Sequence, residues 1–99
     1  MQIELRQRAE LLELNELERR ASQLTPRERE VAQLLANGKS NRQTALALGA
    51  SERTVEVHRG RVMGKMECDS VVTLGLDWHK LQAASKPPPQ HPIARSNPK

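Results

Sequence analysis

Ninety-nine residues, 36% of them hydrophobic, suffice for one small domain, and with Trp78 as the sole aromatic its core must be built from Leu, Val, Ala and Met. The net charge of +4 is uneven: residues 25–66 carry +4 and the segment from Ser85 carries +3, against −1 over residues 1–24 and −2 over 67–84. Such a concentrated basic excess suits a polyanionic partner. A single cysteine, Cys68, excludes an internal disulfide, and no apolar run is long enough for a membrane span or matches a signal peptide. A reducing, cytoplasmic setting without membrane contact is the expectation.

Residues 2–23 contain no Gly or Pro and predict one amphipathic helix. Leu5, Ala9 and Leu12 share one stripe; Leu14, Leu17, Ala21 and Leu24 share another. The phase shift between Leu12 and Leu14 excludes a clean coiled coil. Two readings stay open for segment 1–23: a helix packed on its own domain, or a linking and dimerising helix.

Thr25, Pro26 and Glu28 predict the next helix start, as N-cap, first helical residue and capping-box partner. Val31, Leu34 and Leu35 point inward with Ala32 beside them, and Gly38 supplies a left-handed end. Ser40 caps a further helix with Gln43 as partner, burying Thr44, Ala45 and Leu48 and stopping at Gly49-Ala50. The turn to the next cap, Ser51, is about three residues, as in a helix-turn-helix.

From Ser51 a helix is predicted to about Met66. Val55, Val62 and Met66 form one stripe with His58 beside it. Arg53, Glu56, Val57, Gly60 and Arg61 lie opposite, with Lys65 further on. Asp69 is expected to cap a last helix, with Val71, Leu74, Gly75, Trp78 and Leu81 inward and Val72, Leu76 and His79 elsewhere. The run Lys-Pro-Pro-Pro-Gln-His-Pro predicts a disordered, partly polyproline tail, assigned to residues 83–99.

A two-sided helix behind a tight turn suits the DNA major groove. Arg53 and Arg61 can reach base edges or phosphates, Glu56 can accept from a cytosine amino group, and Val57 can meet a thymine methyl. Gly60 leaves room for close approach. Lys39, Ser40, Asn41 and Arg42 make a phosphate-binding helix start. Enzyme chemistry has no support. There is no nucleophile with a base, no Gly-rich phosphate loop and no carboxylate pair, and His58, His79 and His91 have no metal-ligand spacing. No catalytic residue, metal, cofactor or small-molecule substrate is expected, and Cys68 is read as structural and inert.

Leu24-Thr25-Pro26-Arg27-Glu28-Arg29-Glu30-Val31, Gly38-Lys39-Ser40-Asn41-Arg42, Ala45, Leu48-Gly49 and Ser51-Glu52-Arg53-Thr54-Val55-Glu56-Val57-His58 together resemble the LuxR-type DNA-binding domain. Val55 to His58 with Arg59, then Arg61-Val62-Met63 and Lys65-Met66, is most similar to the FixJ/NarL branch of two-component response regulators. The likeness covers about residues 24–82. It implies an all-α, four-helix domain with a linker helix at 1–23, whose third helix reads double-stranded DNA and whose fourth dimerises through Val72, Leu76 and His79. It implies bacterial transcription regulation under a phosphorylated receiver domain, with RNA polymerase as a further partner. The implied base contacts are Arg53, Glu56, Val57, Gly60 and Arg61. The implied phosphate contacts are Lys39, Ser40, Asn41, Arg42, Thr54, Arg59 and Lys65. No receiver-like segment precedes Leu24, which fits either an effector piece or a stand-alone regulator.

Three departures carry expectations. Thr44 stands where the family has Ile, and its hydroxyl is expected to bond back to the Ser40 carbonyl. Glu67 replaces a helix-ending Gly, so loss of the left-handed cap is expected. Gly60 and Gly64 predict a third helix that is weak alone and ordered by DNA. Two rivals are a sigma-factor region-four domain, which His58 opposes, and a protein-interaction module that keeps the fold but not DNA binding.

Overall fold

The computed structural model describes residues 4–85, which form five helices and, among the described residues, no strand. They are α1 (Leu5–Ala21), α2 (Pro26–Ala36), α3 (Asn41–Leu48), α4 (Glu52–Met66) and α5 (Val71–Ser85). The expected tail is helical through Ser85, and its remainder lies outside the described residues.

The caps expected for α2, α3 and α4 form. The Glu28 N–H donates to Thr25 Oγ1 at 3.1 Å while the Glu28 carboxylate accepts from the Thr25 N–H at 3.0 Å. Ser40 and Gln43 close the same reciprocal box at 3.0 and 2.9 Å. Ser51 accepts from the Thr54 N–H at 3.0 Å. Gly38 and Gly49 take φ values of 87° and 65°, which only glycine adopts without strain. The α3–α4 turn is therefore Gly49-Ala50-Ser51.

Leu24, Val31, Ala32, Leu35, Val62, Met66, Leu74 and Trp78 form one buried cluster that joins α2, α4 and α5. A Cβ at Gly75 would lie 3.3 Å from the Ala36 carbonyl oxygen, so α5 meets α2 where only a hydrogen faces it. Trp78 Nε1 donates to Gln33 Oε1 at 2.8 Å, which satisfies the indole inside this seam. The second half of α1 packs on the body of the domain and the first half does not. Leu17 and Ala21 are buried in the body, whereas Leu5 and Leu12 remain 81% and 63% exposed.

Several expectations are corrected. Ser70, not Asp69, caps α5, since its hydroxyl accepts from the Thr73 N–H at 3.2 Å. Glu67 keeps the left-handed cap at φ 55°, and the Cys68 N–H donates to the Met63 carbonyl at 3.0 Å to close the turn. α1 reaches this turn through Arg20. Arg20 Nη1 donates to the Met66 carbonyl at 3.4 Å, and Arg20 Nε stands 3.5 Å from the Glu67 carboxylate. α4 is helical from Glu52 to Met66, Gly60 and Gly64 included, and amide exchange with and without DNA is the test of its expected ordering by DNA.

Thr44 does not bond back to Ser40. Its hydroxyl is fully buried without a hydrogen-bond partner among the described residues. An unpaired buried hydroxyl costs about 1–3 kcal/mol, so the near-isosteric Thr44→Val is expected to stabilise the domain by about 1 kcal/mol. Urea denaturation checks this, with a raised midpoint at unchanged slope as the expected result.

Candidate nucleic-acid interface

α4 turns by about 100° per residue, which sorts its side chains around the axis. Val55, Val62 and Met66 fall on one line and are wholly buried. Arg53, Val57, Gly60 and Gly64 lie on the far side, with Glu56 and Arg61 on its flanks, and all six are exposed. Arg53, Glu56 and Arg61 have no intramolecular polar partner among the described residues. A Cβ at Gly60 or Gly64 would meet no atom within 4 Å. The protein thus spends neither glycine on internal packing, although each weakens the helix by about 1 kcal/mol relative to Ala.

Lys39, Ser40 and Arg42 are exposed at the start of α3, and Asn41 is half-buried there. The α3 N-terminus adds its positive dipole end to the charges of Lys39 and Arg42. Thr54 is exposed in the first turn of α4, where its Oγ1 accepts from the Ser51 hydroxyl at 2.9 Å.

Two of the basic side chains among the expected phosphate contacts are tied to partners within the protein. Arg59 Nη1 donates to Asn41 Oδ1 at 3.3 Å. Lys65 turns inward, and its Nζ lies 2.6 Å from Glu28 Oε1, whose side chain is only 3% exposed. The ammonium of Lys65, then the Thr25 N–H, holds the Glu28 carboxyl below its ordinary value of 4.5. A depressed carboxyl contributes stability above its unfolded pKa and loses it as pH falls through the folded one. Acid titration of the wild type should therefore show a loss beginning below about pH 4.5. Glu28→Gln should flatten that part of the curve.

His58 is half-buried, and its Nδ1 is enclosed with no hydrogen-bond partner among the described residues. Burial, then the nearby Asp77, pushes the Cys68 thiol up to about 11, so it is protonated at neutral pH. Val72 and Leu76 are 74% and 62% exposed, and with the exposed His79 they follow one line along α5. Among the described residues no helix is long and apolar enough to cross a membrane.

The sequence profile described as "Bacterial regulatory proteins, luxR family" matches residues 22–75, a stretch that holds α2, α3, α4 and the start of α5. The tetrathionate response regulatory protein TtrR of Salmonella typhimurium is 56% identical over 59 residues, which are 60% of this chain and 29% of that protein. The transcriptional regulatory protein FixJ of Azorhizobium caulinodans is 45% identical over 60 residues, 61% of this chain and 28% of that one. The solved structure of the response regulator StyR superposes with a TM-score of 0.67 at 39% identity, covering 76% of this chain and 37% of StyR. This chain therefore spans under a third of the length of these two curated relatives. The matched region is the helix-turn-helix that makes the family one of DNA-binding transcription regulators rather than a class of enzymes. With its caps, its turn and its outward α4 face in place, the chain belongs to the LuxR family of bacterial regulatory proteins.

Proposed function

We propose that α4 enters the major groove with Arg53, Glu56, Val57, Gly60 and Arg61 toward the base edges, while Lys39, Ser40, Asn41, Arg42 and Thr54 hold the flanking phosphates. The free outer face of α4 carries this reading: two arginines without internal partners stand opposite a wholly buried apolar line. Arg59 reaches a phosphate only by leaving Asn41, and Lys65 is assigned to the interior. Val72, Leu76 and His79 pair two copies on adjacent half-sites, since one small module has too little contact area for tight specific binding. The chain acts as the effector part of a two-component response regulator, with RNA polymerase as the partner that transmits its effect.

A mobility-shift salt titration tests the electrostatic part. Affinity should fall steeply with salt, and Arg42→Ala should weaken binding to all sequences alike while lowering the slope by about 0.9. A flat salt response in the wild type would point instead to a module that binds protein.

A further inference from the structure

The buried line of Val55, Val62 and Met66 holds α4 to the body, but apolar contact is non-directional and does not by itself fix how the helix is rolled. Two polar ties flank that line. Arg59 to Asn41 lies about 40° to one side, and Lys65 to Glu28 lies about 80° to the other. The second is the shorter, at 2.6 Å against 3.3 Å, and it joins two ionised groups. Its carboxylate is itself fixed, because the same Oε1 accepts from the Thr25 N–H at 3.0 Å. Glu28 thus ties the start of α2 to the end of α4, 37 residues away. A roll of about 20° would move groups at the outer radius of about 5 Å by on the order of 2 Å. Hydrogen bonds to base edges do not survive such a shift.

We propose that the Glu28–Lys65 pair, which itself stays off the DNA, sets base discrimination by fixing the roll of α4. Both are positioning residues, and the inference rests on the DNA-binding reading above. A merely structural pair would alter stability and leave the preference among sequences untouched. A phosphate-contacting Lys65 would alter affinity for every sequence and the salt slope.

The test starts from duplexes selected out of a random library by the full wild-type chain. Affinities are then measured for Glu28→Gln, Lys65→Met and the double variant, on the selected duplex, on its single-base-pair variants and on unrelated DNA, across a salt series. Glu28→Gln keeps an oxygen for the Thr25 N–H. The double variant leaves no charge buried alone, so it keeps the question open to measurement should Lys65→Met unfold. All readings are taken where circular dichroism shows full helix content. The expected result is a roughly tenfold loss of preference for the selected duplex in each single variant, and no greater loss in the double. Unrelated DNA should bind as before with an unchanged salt slope. A slope lowered by about 0.9 in the double variant but not in Glu28→Gln would make Lys65 a phosphate contact and overturn the proposal. So would an unchanged preference beside a lowered melting temperature. If the wild type selects no sequence, the DNA-binding reading itself fails, before any variant is compared, and this inference falls with it.

Discussion

Replacing Gly60 with Glu is expected to stabilise the free protein by about 0.5 kcal/mol while weakening specific DNA binding at least about tenfold. The two effects have opposite signs for separate reasons. Gly60 is a poor helix former in the middle of α4, and a side chain there meets only open space, so the free domain gains. In the proposed complex the same position faces the groove, where a carboxylate would be both bulky and repelled by phosphates. Chemical denaturation and a binding titration on the same sample check the pair. Unchanged binding would mean that the outer face of α4 is not the reading face.

Met66→Ala is expected to destabilise the domain by about 3 kcal/mol. Met66 is wholly buried where α4 meets α2 and α5, so its loss leaves a cavity in the buried cluster that joins these helices. A domain of this size has on the order of 5–10 kcal/mol in total, and this single change removes a large part of it. Urea denaturation should show a much lower midpoint. By contrast Leu76→Ala, at a 62% exposed site on α5, should shift stability by no more than about 0.5 kcal/mol. If Met66→Ala proved as mild as Leu76→Ala, the account of how α4 is anchored would be wrong.

Features set by residues three or four apart could be read from the chain directly. Thr25, Ser40 and Ser51 cap their helices, and Gly38 and Gly49 end theirs, because each needs only its own neighbours. The phase shift between Leu12 and Leu14 was also physically meaningful. The stripe before it, with Leu5 and Leu12, faces solvent, and the stripe after it, with Leu17, Ala21 and Leu24, enters the core. The break marks where α1 leaves the body of the domain.

What escaped the sequence depends on residues far apart along the chain. Asp69 and Ser70 can each cap a helix, and the hydroxyl that accepts from the Thr73 N–H belongs to Ser70. Glu67 holds a glycine-like conformation at φ 55°, and Arg19 and Arg20 of α1 stand 3.8 and 3.5 Å from its carboxylate. No periodicity announces that contact. Lys65 did carry a legible signal: it sits about 80° from the buried line, on the same side as His58, and so belongs to the rim rather than to the outer face. The spacing around Thr25 marks its partner Glu28 only as a cap residue, and a cap does not reveal that the same carboxylate also takes an ammonium.

The central claim is that the α4 face opposite Val55, Val62 and Met66 meets DNA. Amide chemical-shift mapping, with a selected duplex titrated into the full chain, tests it most directly. The largest shifts are expected from Arg53 to Arg61 and from Lys39 to Arg42, with the buried line of α4 little changed. Shifts confined to α5 or to the exposed half of α1, with the outer face of α4 silent, would contradict it.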